Sequence, residues 1–71
     1  MSKDCFEFII YMLHACAEKW SLFPSAVYKK LKESGCIDQL LIPYYDALHT
    51  QGTGYIVGDI EDYLSARGIA V

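Results

Sequence analysis

The chain has little with which to assemble a reaction centre. It holds two histidines, His14 and His49, and neither has a cysteine, serine or carboxylate at a spacing that builds a nucleophilic pair or a ligand set. Its three cysteines, Cys5, Cys16 and Cys36, are odd in number and form no C-x-x-C pair. Neither a disulfide framework nor a zinc knuckle is indicated, and buried reduced thiols in a cytoplasmic protein are the simpler reading. Positive charge is scarce as well. Six Lys and Arg against nine Asp and Glu give a net charge of -3, which disfavours a nucleic-acid surface because phosphate binding draws on clustered cations. Only Lys29, Lys30 and Lys32 cluster, and a cluster of that size reads as a solvated face.

Long apolar runs are also missing. No stretch approaches the roughly 18 residues that span a bilayer, so no membrane segment is expected. Lys3, the run from Phe6 to Leu13 and Ala15-Cys16-Ala17 imitate a secretory leader superficially. Asp4 and Glu7, however, stand where such a leader carries positive charge, and His14 interrupts the run, so the segment is read as part of the folded domain. With no repeat, low-complexity tract or linker, residues 1–71 form one domain.

Apolar side chains, by contrast, are plentiful: 54% of residues are hydrophobic, including six Tyr, three Phe and one Trp. A domain of this length buries only about 60% of the surface its unfolded chain exposes. Part of that supply is therefore expected to cover a partner chain or a second copy.

The pattern is helical. Phe6, Ile9, Ile10, Leu13, Cys16, Ala17 and Trp20 recur at three- and four-residue spacing and predict a helix from Ser2 to Trp20. A second apolar row of Cys5, Phe8, Met12 and Ala15 lies beside the first, leaving a narrow polar wedge of Asp4, Glu7, Tyr11, His14 and Glu18. Either this helix is central and packed on two sides, or the second row meets another chain. Pro24 suits the first turn of a second helix, on which Val27, Tyr28 and Leu31 face the core and Gly35 supplies a left-handed stop. A third helix is expected from the cap Asp38 towards His49, with Ile37, Leu40, Leu41, Tyr44 and Leu48 on one face, kinked or split near Pro43. Gly52 and Gly54 permit positive φ in the following turn. Tyr55, Ile56 and Val57 fit either a short extended piece or the opening of the last helix. Asp59 reads as that helix's cap, with Asp62 completing a box and Glu61 adding charge to the dipole; Gly68 ends the chain's last helix. The expected fold is all-α, a compact bundle of about four short helices.

Capping accounts for Asp59, Glu61 and Asp62 better than acid-base chemistry or a hard-cation site, because the D-x-D-x-D-G pattern is absent. His49 and Thr50 sit where a helix C-terminus offers free carbonyls. Tyr44 and Tyr45 lack the basic groove of a base-stacking platform; helical geometry sends Tyr44 inward and turns Tyr45 outward as a contact residue. No catalytic residue, metal ligand or cofactor site is assigned.

Leu48, His49, Thr50, Gly52, Tyr55, Ile56, Asp59 and Ile60 spell Leu-His-Thr-x-Gly-x-x-Tyr-Ile-x-x-Asp-Ile. With the aromatic-rich first helix, and with Val27 and Tyr28 ahead of a Lys-rich helix, the chain resembles a small bacterial domain family of unknown function carrying that signature. Phe23 before Pro24 and the interrupting Pro43 depart from the family pattern. The resemblance implies genes encoded beside ADP-ribosyltransferase-like proteins of toxin type, and hence an antitoxin or accessory role. The expected function is a non-enzymatic module that binds another protein, or itself, through Phe8, Met12, Ala15 and Tyr45. The alternative is a helix-turn-helix regulator whose Lys29 to Lys32 cluster touches phosphates.

Overall fold

A computed structural model describes all of residues 1–71 as five helical segments without a strand. Helix α1 spans Lys3–Trp20 and α2 spans Pro24–Glu33; a π-helical segment covers Ile37–Leu41, followed by the single-turn α3, Tyr45–Leu48, and by α4, Thr53–Ala66. The expectation of an all-α bundle holds.

Helix α1 starts where the Ser2 hydroxyl accepts the Cys5 N–H at 3.1 Å and ends where Ser21 takes left-handed angles, φ 56°. It packs along both α2 and α4, so it is the central helix. Sixteen buried residues make one core, with Cys5, Ile9, Met12, Leu13, Cys16 and Ala17 of α1 in its midst. Met12 is fully enclosed while Phe8 and Ala15 are half-buried. The second apolar row is thus largely absorbed by α1's own neighbours, and Met12 cannot touch a partner. The outward-facing residues come instead from the first row, with Phe6 55% and Ile10 40% exposed.

Pro24 opens α2 without a side-chain cap from Phe23, as its missing N–H allows. Val27 and Leu31 are buried, but Tyr28, expected inward, lies about half in solvent. Gly35, φ 83°, breaks α2, and a Cβ there would lie 3.3 Å from the Tyr63 hydroxyl. The chain then rewinds as a wide turn in which the Ile42 N–H reaches the Ile37 carbonyl at 3.0 Å, and Asp38 serves no cap but pairs with Lys32 at 3.2 Å. Pro43 ends that turn, since it has no N–H to donate and its ring excludes the carbonyl four residues back. The third helix is therefore split, as the proline predicts.

The split resets the helical phase. Tyr44 is 57% exposed, whereas Tyr45 is half-buried against Phe8, ring centroids 5.4 Å apart, and stacks on His49 at 4.4 Å. The inward and outward assignments of this pair are thus reversed from a continuous helix. Helix α4 begins at Thr53, not after Asp59 as the capping reading placed it, and Tyr55, Ile56 and Val57 belong to its opening, the second of the two alternatives open for them. Gly52 is its N-cap in extended geometry, φ -69°, and Gly54 does not take positive φ either. Ile56, Val57, Ile60 and Leu64 are buried along one face, and that burial outweighs the weak helix propensity of two glycines and β-branched residues. Asp59 and Asp62 therefore lie within α4 and form no capping box.

Glu61 latches α4 to the end of α1. Its carboxylate accepts the Trp20 Nε1–H at 2.8 Å and the Lys19 ammonium at 3.0 Å. The Trp20 bond first, then Lys19, hold its pKa below the ordinary glutamate range. A carboxylate lowered in the folded state stabilises above its unfolded pKa, about 4.3, and loses that contribution as pH falls through the folded value. Glu61→Gln should lower the melting temperature at pH 7 by about 2–5 °C, with the difference shrinking at pH 3. Gly35→Ala should cost about 1–2 kcal/mol, because it forces a Cβ into a left-handed site, whereas Ser21→Gly should stabilise by up to about 1 kcal/mol. Urea titrations of the two variants check both signs.

Candidate interaction surface

The signature residues converge on the joint between α3 and α4. Leu48, Ile56 and Ile60 are buried. His49 donates from Nδ1 to the Tyr45 carbonyl at 2.7 Å, and the Thr50 hydroxyl donates to the Ala47 carbonyl at 3.0 Å, so both satisfy carbonyls at the end of α3. Gly52 caps α4, while Tyr55 is 61% exposed and Asp59 is half-exposed beside it, one helical turn on. The segment is a structural hinge of fixed geometry with one open side, formed by Tyr55 and Asp59.

Two open clefts lie on the surface. The first is an apolar patch on α1 and α2: Met1, Phe6, Ile10 and Tyr28 stand exposed around a cleft of 190 Å³ that reaches Leu13 and Ile42. Aromatic side chains bury about 150–250 Å² each, so these four residues expose on the order of 400 Å², within the range of the largest patch on a typical monomer. Its lining includes Lys32 and Asp38, 3.2 Å apart, a pair whose charges cancel. The second is a cleft of 290 Å³ between the π-helical segment with α3 and helix α4, lined by Leu40, Tyr44, Leu48, Gln51, Tyr55 and Asp59. Of the partner-contact residues expected from sequence, Phe8 and Tyr45 meet each other inside the domain, Ala15 lies beside α4 in a groove with Tyr11 and Thr53, and Met12 is core. The structure does not bring the four together as one surface. The exposed Phe6, Ile10 and Tyr44 were missed because each belongs to a stripe that periodicity assigns to the interior, and Tyr55 because its segment fitted either an extended piece or a helix start; the i, i+4 spacing of Tyr55 and Asp59 was the available signal, had the helix been started at Thr53.

His14 is exposed, and no set of three or more His, Cys, Asp or Glu is grouped to hold a metal ion. No helix is long and apolar enough to cross a membrane. All three thiols are free and buried. Burial first, then the Glu61 charge, pushes the Cys16 thiol up to about 11; burial first, then Cys16, pushes Cys36 up to about 12. Since the thiolate is the nucleophile, an aqueous thiol reagent at pH 7.5 should leave Cys16 and Cys36 unmodified in the folded protein and modify all three cysteines in denaturant. Mass spectrometry of the quenched reaction checks this.

No curated protein and no solved structure matches the chain. Residues 7–67 match the family described as "Protein of unknown function (DUF3791)", and with that span covering nearly all of the α1-centred bundle the chain belongs to this family.

Proposed function

We propose that this protein is a non-enzymatic protein-interaction module, an antitoxin-like or accessory partner of a toxin-type protein. The observation that carries this reading is the apolar patch of Met1, Phe6, Ile10 and Tyr28. Its charge-balanced lining leaves apolar contact as the main source of affinity there, and aromatic residues are the side chains enriched in protein interfaces. The buried thiols, the capping His49 and the latched Glu61 each have a structural task, which also favours binding over catalysis. The toxin-type partner rests on the gene neighbourhood that the signature resemblance implies.

The duplex-binding alternative draws less support. Lys30 is engaged with the Ala70 carbonyl at 2.9 Å and Lys32 with Asp38, leaving Lys29 alone of the cluster without an ion pair or hydrogen bond. Lys29 and Lys30, the latter bonded only to a neutral carbonyl, are two cations that supply little of the counterion release that drives binding to DNA.

Co-expression with the product of the adjacent gene should yield a stable complex through a tag on either chain. Phe6→Ser with Ile10→Ser should weaken it by about tenfold or more, with circular dichroism showing that helix content is retained. A strictly monomeric chain that forms no complex would remove the main support for the proposal. Promoter DNA shifted at low salt, and released by Lys29→Glu, would favour the regulator instead.

A further inference from the structure

We propose that the Tyr44, Tyr55 and Asp59 cleft takes an arginine side chain of the partner protein. This deepens the interaction-module reading by naming the chemistry of one partner group, and it rests on that reading for its biological setting. The cleft combines three features that point to a cation. Its walls include two tyrosines that are 57% and 61% exposed, rings that the fold holds out of its core. An aromatic face attracts a cation within about 6 Å of its centroid. It contains one carboxylate, Asp59, which takes part in none of the three ion pairs of the chain, Lys3 with Glu7, Lys19 with Glu61 and Lys32 with Asp38. No lysine or arginine lines it, so nothing within the cleft already answers that charge. Leu40 and Leu48 provide apolar footing for a methylene stem, and the Gln51 amide adds an acceptor.

Size and shape select among cations. At 290 Å³ the cleft lies at the lower edge of the about 300–1,000 Å³ typical of small-molecule sites, which suits one long side chain better than a cofactor. A guanidinium is planar, stacks on aromatic faces and is more weakly hydrated than an ammonium, so arginine fits two tyrosine walls and one carboxylate better than lysine does. The chain shows the same chemistry within itself: the Arg67 guanidinium carbon lies 3.6 Å over the Tyr63 ring centre, and Arg67 donates to Gln39 at 3.2 Å. The net charge of -3 steers a basic segment towards the molecule as a whole.

The test uses the intact chain, labelled with ¹⁵N, titrated with N-acetyl-arginine methylamide, with its uncharged citrulline analogue, with N-acetyl-lysine methylamide and with tetramethylammonium. The arginine derivative should give saturable millimolar shifts confined to the amides around Tyr44, Gln51, Tyr55 and Asp59, at least about threefold tighter than the lysine derivative, and the citrulline analogue none. Asp59→Asn should weaken arginine binding by about threefold to fivefold, and Tyr44→Ala with Tyr55→Ala should abolish it; unchanged core amide shifts in these variants show that the fold is intact. Equal shifts with citrulline, tighter binding of tetramethylammonium or lysine, or no response to Asp59→Asn would each overturn the proposal. Complex formation with the neighbouring gene product separates the two readings. A complex that survives Asp59→Asn with Tyr55→Ala at full affinity overturns the arginine site and leaves the interaction module standing. Arginine binding in a chain that forms no complex upholds the site and overturns the module.

Discussion

Helix α1 is apolar over most of its circumference, and a helix of that kind must be covered on more than one side before the chain can fold. Helices α2 and α4 supply the cover, and the rest of the bundle follows from where they have to lie. Cys5, Ile9, Met12, Leu13, Cys16 and Ala17 are spread too widely around α1 for a single contact, yet all are buried once α4 crosses on one side and α2 on the other. The Glu61 carboxylate then ties α4 to Trp20 and Lys19 at the far end of α1, so a polar bond completes a position chosen by packing. What remains partly uncovered is a strip at the start of α1, where Phe6 and Ile10 border a cleft shared with Tyr28 of α2.

The segment from Ile37 to Leu48 carries the consequences of one proline. A continuous helix there would have put Tyr44 in the core and Tyr45 in solvent. The wide turn ending before Pro43 changes the angular phase, so that Tyr45 packs on Phe8 and His49 while Tyr44 faces outward across from Tyr55 and Asp59. The π-helical turn borders both clefts, with Ile37, Asp38 and Ile42 following on the apolar cleft and Leu40 on the tyrosine cleft. The turn thereby decides which aromatic rings stand in solvent.

The residues that most characterise the chain divide into two groups by task. Leu48, His49, Thr50, Gly52, Ile56 and Ile60 close the end of α3 and start α4, and their roles are satisfied within the domain. Tyr55 and Asp59 lie in the same segment but have no comparable internal work. That separation is what motivates the proposed arginine site, because a side chain with no structural partner is free to meet an external one. The chemistry of single residues was silent on function because the open features are shapes made by several elements together.

Residue pattern alone determined the helical class, the first two helices to within a residue, the stop at Gly35, the break at Pro43 and the capping work of His49, since each rests on local periodicity, backbone freedom or a missing N–H. Long-range packing decided the remainder. Thr53–Ala66 became one helix because Ile56 and Val57 join Ile60 and Leu64 in the core, a gain that no window of three apolar residues can register and that overrode Asp59 as a start signal. Met12 was enclosed and Phe6 left out because burial depends on where α2 and α4 cross α1, not on which stripe of α1 a residue occupies. The tyrosine cleft, finally, joins Leu40 to Asp59 across a turn, and such a juxtaposition exists only after the chain has folded back on itself.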